Sequence, residues 1–277
     1  MNKKRLVFTD LDGTLLGHYT YQTEPAEATI TALRLHHIPI IPNSSKTLQE
    51  ILLIRQQLNL LSPFIIENGA AVYIPVNYFD FQPAGTHLDN GYWVKPFCKT
   101  KEHWLSLISQ QAPEFKSHFQ GFSQLTNEQL AELTGLDIVK ASLAKMRQYG
   151  EPLNWIGTEK AKEDFIKKMK VMGANILLGG RFLHVSGHCD KGIAQRWLTD
   201  QYQKQNPQDK FITIALGDSD NDSAMLEEAS IAVQISSPVH DFPKLNRKEQ
   251  VYQSRQCGPA GWAESLQKLI LSELIAS

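Results

Sequence analysis

Short apolar strands alternate with amphipathic helices over the first 66 residues, and this alternation constrains the fold more than any other feature of the chain. The predicted strands cover residues 6–8, 37–42 and 64–66, and the predicted helices cover residues 24–36 and 47–58. In the first helix, Ile30, Leu33 and Leu35 are expected to face the core. Strands joined through helices by short links make right-handed crossovers and therefore lie parallel. The pattern predicts an α/β fold whose core is a doubly wound, Rossmann-like parallel sheet.

A second alternation of strands and helices follows a long interruption. Between about residues 81 and 180 the chain carries Pro, Gly and aromatic residues together with amphipathic helices, predicted at 101–111, 127–133 and 159–172. The later predicted elements are strands at 182–185, 211–216 and 231–234, a helix at 190–205, a helix from Asp222 and a final helix at 259–275. An insertion of about 100 residues has the size of a domain. We therefore expect one sheet-based core that is interrupted by a separate insertion.

The charge and cysteine content argue against several classes of protein. Lys and Arg total 28 against 29 Asp and Glu, so no overall field would attract nucleic acid or a membrane surface. The three cysteines are odd in number and far apart, which argues against a disulfide framework or a zinc site. The apolar stretch after the basic start ends at Asp10, too early for a signal peptide, and no run is long enough to span a membrane. We expect a soluble, reduced, cytoplasmic protein that is a monomer or a weak homodimer.

The first chemical signal lies where the first predicted strand ends. Asp10-Leu11-Asp12-Gly13-Thr14 places two carboxylates two residues apart, before a glycine that allows a sharp turn. Ligands bind at the carboxyl edge of a parallel sheet, and such a pair suits a nucleophile beside a proton donor and acceptor. An Asp-rich turn without chemistry is the alternative. A calcium loop fits poorly, because Phe8 and Tyr19 would occupy its first and twelfth ligand positions.

A denser acidic cluster, Gly217-Asp218-Ser219-Asp220-Asn221-Asp222, follows another apolar strand. Carboxylates crowded at one strand end repel one another unless a cation neutralises them, and hard oxygen ligands favour Mg²⁺. The cluster does not fit an EF-hand, because Ser223 replaces the required glycine and Ala229 replaces the bidentate glutamate. The alternative is a polar loop that caps the helix starting at Asp222.

Two further segments supply hydroxyl groups and a positive charge. Asn43-Ser44-Ser45-Lys46-Thr47 opens a predicted helix, where hydroxyls and backbone N–H groups can bind an anion; a Ser N-cap is the simpler explanation. Lys191 precedes another helix, and a lone lysine is usually solvated. No GxxxxGK[ST] loop or GxGxxG motif occurs, which argues against nucleotide-triphosphate and dinucleotide enzymes. Because all four segments follow predicted strands, they can converge to supply what phosphoryl transfer requires.

Taken in order, the four segments resemble the motifs of the haloacid dehalogenase-like phosphatases. The insertion falls between the second and third motifs, as in the type IIB branch, and Glu67-Asn68-Gly69-Ala70 is similar to an element of that branch. Further segments resemble signatures of the mannosyl-3-phosphoglycerate phosphatase family, at residues 44–47, 147–152, 179–182 and 258–262. The resemblance implies a catalytic core formed by residues 1–83 and 184–277 and an α+β cap, residues 84–183, that sets substrate specificity.

The resemblance also implies how the core residues would act. Asp10 would attack phosphorus as the nucleophile, while Asp12 would protonate the leaving oxygen and then activate water. The implied cofactor is Mg²⁺, held by Asp10, the main-chain carbonyl of Asp12, Asp218 and Asp222, the last directly or through water. Residues implied to hold the phosphoryl oxygens are Ser44, Lys191 and Asn221.

Substrate specificity would come from residues outside this group. Ser45, Lys46, Arg147 and Glu151 are the predicted substrate-binding residues. The guanidinium of Arg147 suits a carboxylate such as that of a glycerate, because it donates two parallel hydrogen bonds. Lys46 is the second candidate for the same carboxylate, and Glu151 would accept hydrogen bonds from sugar hydroxyls. The alternative for Glu151 is a structural glutamate at the start of a helix, before Pro152.

The implied activity is Mg²⁺-dependent hydrolysis of mannosyl-3-phosphoglycerate, or of its glucosyl analogue, to the glycosylglycerate and phosphate through an aspartyl phosphate. The alternatives are a sugar phosphatase of the same branch acting on sucrose phosphate or hexose phosphates, a phosphomutase, and a catalytically idle binding protein. Retention of both Asp10 and Asp12 argues against the idle protein. The expected partner is this phosphorylated small molecule, with no nucleic acid and no membrane.

Overall fold

The computed structural model describes residues 3–179 and 181–272 and divides into two compact units. Unit 1 comprises Met1–Ser45, Asn59–Lys95 and Asp190–Ser277, and unit 2 comprises Lys46–Leu58 and Pro96–Cys189. The predicted boundaries at residues 83/84 and 183/184 do not coincide with this division. Assignment of the catalytic core and the specificity cap to particular residue ranges stays a prediction.

Strands and helices alternate along most of the chain. The strands are β1 (Lys3–Thr9), β2 (Ile40–Pro42), β3 (Phe64–Ile66), β4 (Ala71–Pro75), β5 (His87–Asp89), β6 (Tyr92–Pro96), β7 (Phe119–Gly121), β8 (Glu151–Trp155), β9 (Asn175–Gly179), β10 (Phe182–Ser186), β11 (Lys210–Gly217), β12 (Ile231–Ser236) and β13 (Val251–Cys257). The α-helices are α1 (Glu27–Leu35), α2 (Leu48–Gln57), α3 (Lys101–Gln111), α4 (Asn127–Thr134), α5 (Ile138–Lys145), α6 (Glu159–Val171), α7 (Lys191–Gln205), α8 (Ser223–Glu228) and α9 (Gly258–Leu266).

The main sheet of unit 1 is fully parallel, in the order β13-β12-β11-β1-β2. Its two central strands, β1 and β11, pair from Lys3↔Lys210 to Thr9↔Leu216, so they end at the same edge. A parallel bridge between Asn43 and Ile65 continues from β2 to β3, which otherwise belongs to a second, four-stranded sheet of order β3-β4-β6-β5. The predicted α/β fold with a doubly wound parallel core is confirmed.

The packing of α9 positions the end of β1. Trp262 of this helix is fully buried, and its indole N–H donates to the hydroxyl of Thr9 at 3.0 Å. The Thr9 hydroxyl in turn donates to the carbonyl oxygen of Asp10 at 2.6 Å. Gly261 allows α9 to pack closely on β13, because a Cβ there would lie 2.0 Å from the carbonyl oxygen of Gln256. The C-terminal helix therefore holds in place the strand end that carries Asp10.

Unit 2 contains an antiparallel sheet of order β7-β8-β10-β9, packed on a hydrophobic core that includes Trp104, Phe165 and Met169. The predicted strand at 182–185 is present as β10, but the prediction that it resumes the parallel core is wrong. Leu183 and Val185 are buried on either side of the less buried His184, a period of two that suits a sheet with one covered face.

Several local predictions also differ from the structure. Ile30 and Leu33 of α1 are buried as predicted, but Leu35 is 75% exposed. Leu35 is the last residue of the helix and follows the turn that contains the two buried residues. The strand predicted at 37–42 begins only at Ile40, since His37 adopts a positive φ of 54°. Strand β13 is largely polar and carried no apolar signal in the sequence.

The predicted final helix at 259–275 ends as an α-helix at Leu266 and continues as a π-helical turn, Gln267–Leu271. Residues 273–277 of that prediction, and Gly180 of the 179–182 signature, lie outside the described residues. Within the described ranges, no helix is both long enough and apolar enough to cross a membrane.

Candidate active site

The centre of the site is Asp10, one residue beyond the end of β1. Its main-chain N–H donates to the carbonyl oxygen of Leu216 at 2.9 Å, which extends the β1–β11 ladder by one bond. The chain then turns at Gly13, whose φ is +79°, and a Cβ at this position would lie 2.5 Å from Oδ2 of Asp218. The glycine is therefore required for two reasons: the left-handed conformation and the close approach of the second acidic segment.

Lys191 forms an ion pair with each of the two acidic segments. Its Nζ lies 2.5 Å from Oδ1 of Asp10 and 2.6 Å from Oδ1 of Asp222, and the lysine is fully buried. It is the first residue of α7, which begins at an N-cap in which Asp190 accepts from the N–H of Ile193. A lysine in this position is a structural ion-pair partner of the site and not a solvated surface residue.

Asp222 is held by the loop that contains it. Its Oδ2 accepts hydrogen bonds from the main-chain N–H groups of Asp218 and Ser219 at 3.0 and 3.1 Å, while its Oδ1 accepts from Lys191. These hydrogen bonds fix the orientation of the Asp222 carboxylate, which could contact a metal directly or through water.

Asp218 is positioned by two side chains from other segments. The hydroxyl of Thr14 donates to its Oδ1 at 2.9 Å, and Nε2 of His240 lies 3.3 Å from its Oδ2. Burial, followed by the negative charge of Asp222, raises the pKa of Asp218 to about 6.

The electrostatics of the site show an excess of negative charge. Asp10, Asp218 and Asp222 can each bring one oxygen within 4.8 Å of the others, and all three are buried. Burial raises the pKa of Asp10 well above its usual range, because the opposing charge of Lys191 does not offset desolvation. The same two carboxylates, Asp10 and Asp222, outweigh burial and raise the pKa of Lys191 above its ordinary value. Three buried carboxylates, of which only Asp10 and Asp222 contact the ammonium of Lys191, fit a hard divalent cation.

A network of asparagines connects the second motif to the same edge. The amide of Asn43 is fully buried, and its Nδ2 donates to the carbonyl oxygen of Lys191 at 3.0 Å. The main-chain N–H of Asn68 donates to the carbonyl oxygen of Ser44, and the side-chain oxygen of Asn68 accepts from Nδ2 of Asn221 at 3.1 Å. Ser44 is buried and Ser45 is half-buried. The backbone around these residues therefore links the predicted anion-binding segment to Lys191 and Asn221.

The turn that presents Asn68 is conformationally unusual. Glu67, Asn68 and Gly69 have consecutive positive φ values of 47°, 59° and 91°. A Cβ at residue 69 would lie 2.1 Å from the carbonyl oxygen of Asp190, next to the start of α7. The segment that resembles the type IIB element thus allows α7, and with it Lys191, to approach closely.

Three predicted substrate-binding residues belong to unit 2. Nζ of Lys46 lies 3.6 Å from a carboxylate oxygen of Glu50, which belongs to the first turn of α2. The N-cap of this helix is Thr47, and not one of the serines before it. Glu151 is 1% exposed, and its Oε1 accepts from the N–H and hydroxyl of Ser123 at 2.8 and 2.7 Å. Glu151 therefore has a structural contact inside unit 2, and its role toward a sugar stays a prediction.

Arg147, the third of these residues, lies beside a histidine of β10. Burial, supported by the positive charge of Arg147, lowers the pKa of His184 to about 4. His184 is therefore neutral at physiological pH. It adds no positive charge to that of Arg147.

Sequence reasoning gave no role to Thr14, Asn43, Asn68 or His240. The first three lie inside or next to the quoted motifs, so their proximity to the motifs could have identified them. His240 lies in the loop after β12, and nothing in its sequence context indicates contact with Asp218.

Comparisons with known proteins agree with this geometry. Residues 7–83 match the haloacid dehalogenase-like hydrolase family. A glucosyl-3-phosphoglycerate/mannosyl-3-phosphoglycerate phosphatase of Methanococcoides burtonii is 34% identical, covering 96% of this chain and 97% of the relative. A mannosyl-3-phosphoglycerate phosphatase of Pyrococcus furiosus is 34% identical, covering 86% and 93%.

A similar fold occurs in a solved phosphatase of the haloalkanoate (HAD) enzyme superfamily from Bacteroides thetaiotaomicron. It has a TM-score of 0.65 and 16% identity, and the match covers 96% of this chain and 94% of that one. The fold likeness is independent of the sequence matches, which extend through both units. This chain therefore belongs to the haloacid dehalogenase-like phosphatases and is a phosphomonoesterase of that family.

Proposed function

We propose that this phosphatase hydrolyses mannosyl-3-phosphoglycerate, glucosyl-3-phosphoglycerate, or both, to the glycosylglycerate and inorganic phosphate. The observation that carries the proposal is the likeness to the Methanococcoides burtonii phosphatase over 96% of the chain. Because that likeness includes unit 2 as well as the acidic edge of unit 1, it extends beyond the residues needed for phosphoester chemistry in general.

In the proposed first step, a carboxylate oxygen of Asp10 attacks phosphorus in line with the bond to the glycerate oxygen. The P–O bond to the glycerate breaks as the bond to Asp10 forms, giving an aspartyl phosphate. Lys191, 2.5 Å from Oδ1 of Asp10, opposes the effect of burial and favours the ionised nucleophile. Asp12 donates its proton to the departing glycerate oxygen, which leaves as a hydroxyl.

In the second step, the aspartyl phosphate is hydrolysed. Asp12, now ionised, takes a proton from a water molecule as the water oxygen attacks phosphorus. The bond between phosphorus and Asp10 breaks, which releases phosphate and restores both carboxyl groups. Asp12 is half-buried whereas Asp10 is 4% exposed, consistent with a proton-transfer group that meets water and a nucleophile that is shielded from it.

The proposal includes Mg²⁺ at the carboxylate cluster. Asp10 and Asp218 would hold the ion, together with the main-chain carbonyl of Asp12, and Asp222 would contact it directly or through water. Bound Mg²⁺ would neutralise charge on the phosphoryl group and on the crowded carboxylates. Ser44, Lys191 and Asn221 are the proposed contacts for the phosphoryl oxygens.

A substrate panel tests the proposal directly. Turnover would be measured with both glycosyl-3-phosphoglycerates, sucrose phosphate, hexose phosphates and p-nitrophenyl phosphate, each with Mg²⁺ and with a chelator. We expect kcat/KM for a glycosyl-3-phosphoglycerate to exceed that for every simple sugar phosphate by at least about 100-fold, near 2.7 kcal/mol. Preference for sucrose phosphate or a hexose phosphate would establish the alternative sugar phosphatase. Full turnover in chelator would remove the metal from the mechanism.

A further inference from the structure

We propose that Cys98 and Cys189 form a reversible intramolecular disulfide, a modification site in unit 2. Their Sγ atoms lie 3.7 Å apart although the residues are 91 positions apart in the chain. Both side chains are half-buried thiols in the structure. Their proximity is produced by the fold, since neither spacing nor motif pairs them in the sequence.

The backbone holds the two cysteines close together. A Cβ at residue 187 would lie 2.4 Å from Cβ of Cys98 and 3.2 Å from the ring of Trp104, so only glycine leaves room there. Two residues later, the N–H of Cys189 donates to the carbonyl oxygen of Gly187 at 3.0 Å. The tight turn at Gly187 thus places Cys189 beside Cys98. A disulfide requires an S–S distance of about 2.05 Å, so the two sulfurs must approach from their present 3.7 Å for the bond to form.

The oxidant is a small disulfide such as glutathione disulfide. The thiolate of one cysteine attacks a sulfur of the oxidant, which forms a mixed disulfide and expels one glutathione thiolate. The second cysteine, losing its proton, attacks the protein sulfur of that mixed disulfide and expels the second glutathione. Two electrons pass from the two protein thiols to the oxidant, and their two protons leave with the two glutathione thiols. A dithiol reductant reverses the exchange.

The position of the pair gives the modification a physical consequence. The longer segment of unit 2, Pro96–Cys189, has Cys98 near its beginning and Cys189 as its last residue. A disulfide would therefore close nearly the whole segment into a covalent loop. Closing a loop of this length restricts the unfolded chain far more than the folded one, and stabilises the folded state. Oxidation should accordingly make unit 2 more resistant to unfolding.

Mass spectrometry of the full chain tests whether the bond forms. The exposed third cysteine is first removed as Cys257→Ser, so that it cannot take part. After incubation with glutathione disulfide, we expect the Cys257→Ser chain to lose two hydrogens in mass and both free thiols, and to regain them with dithiothreitol. The matched control, Cys98→Ser in the same background, should instead retain one bound glutathione or one free thiol.

Thermal unfolding tests the consequence. The oxidised Cys257→Ser chain should show an unfolding transition raised by at least about 4 °C over its reduced form, whereas the control carrying Cys98→Ser should show no such difference between redox conditions. Stable glutathione adducts or disulfide-linked dimers in place of the two-hydrogen loss would overturn the proposal. An internal disulfide that leaves the transition unchanged would overturn the proposed stabilisation.

Discussion

Deeply buried carboxylates occur in both units, but their surroundings differ. In unit 1, three of them come within 4.8 Å of one another, and Lys191 contacts only Asp10 and Asp222 among these. In unit 2, Glu151 is 1% exposed and belongs to no such acidic cluster among the described residues, and its Oε1 accepts two hydrogen bonds from Ser123. Burial is therefore common to the two regions, whereas crowding of like charge is found at the acidic edge of unit 1.

The difference separates a structural carboxylate from a chemical one. An isolated buried carboxylate that accepts hydrogen bonds recovers part of its desolvation cost, and its loss leaves buried donors without an acceptor. Crowded carboxylates with raised pKa values cost stability in the unliganded fold, and such groups cluster at sites that bind cations or transfer protons. The contrast can be tested by one substitution in unit 1, at Asp10, and by three in unit 2, at His184, Arg147 and Glu151.

Asp10→Asn should produce the largest loss. The amide keeps the shape of the side chain but is a poor nucleophile, so turnover should fall by about 10⁴-fold or more, near 5.5 kcal/mol. The free energy of unfolding should change little, because one of three mutually repelling charges is removed together with one contact of Lys191. Steady-state rates and circular dichroism check the two parts. A variant that keeps more than about a tenth of wild-type turnover would show that Asp10 is not the nucleophile.

Burial of His184 in unit 2, beside the positive charge of Arg147, predicts a pH effect on stability. Its pKa is lowered from 6.5 to about 4 in the fold, so the unfolded chain binds a proton between these values when the folded chain does not. Stability should therefore be fully present above pH 6.5 and decline as pH falls toward 4, by roughly 3 kcal/mol from this residue. Urea unfolding at several pH values would be compared for wild type and His184→Gln. Equal pH dependence of the two proteins would contradict the prediction.

Arg147→Ala tests whether unit 2 contributes to substrate choice, and it rests on the proposed function. A charge-assisted pair with the glycerate carboxylate predicts that kcat/KM for mannosyl-3-phosphoglycerate falls at least about 30-fold, near 2 kcal/mol. Hydrolysis of p-nitrophenyl phosphate, which lacks that carboxylate, should hardly change. Arg181→Ala is the control, because this exposed arginine donates to the carbonyl oxygen of Thr134. Equal losses on both substrates would make Arg147 a structural residue, and no loss would make Lys46 the next candidate.

Glu151→Ala should give the smallest effect and one of a different kind. Loss of the acceptor for Ser123 predicts a decrease in the free energy of unfolding of about 1–2 kcal/mol, with turnover of p-nitrophenyl phosphate unchanged. Glu151→Gln keeps an acceptor oxygen and should be nearly as stable as wild type. If the Gln variant is stable but hydrolyses the glycosyl substrate more slowly, Glu151 contacts the sugar, as the sequence resemblance implies.

Local patterns in the sequence were sufficient for much of the fold. Strands β1 and β11 are apolar runs that end abruptly in Asp10 and Gly217-Asp218, and this transition from apolar to acidic residues places both segments at one sheet edge. Helices such as α6 and α7 follow from their own periodicity and capping residues, because helical hydrogen bonds join residues close in sequence. The sequence could not reveal that β10 pairs within an antiparallel sheet of unit 2, since strand partners are chosen by distant residues.

The sequence by itself determined the residue types of the site, namely the Asp pair, the acidic loop, the serine segment and the lysine, together with their order along the chain. Only the tertiary structure decided the partnerships, such as Lys191 between Asp10 and Asp222, His240 against Asp218, and Cys98 beside Cys189. Each of these contacts joins residues from different segments of the chain. Their distances depend on how whole strands and helices pack, and no local pattern of residues encodes that packing.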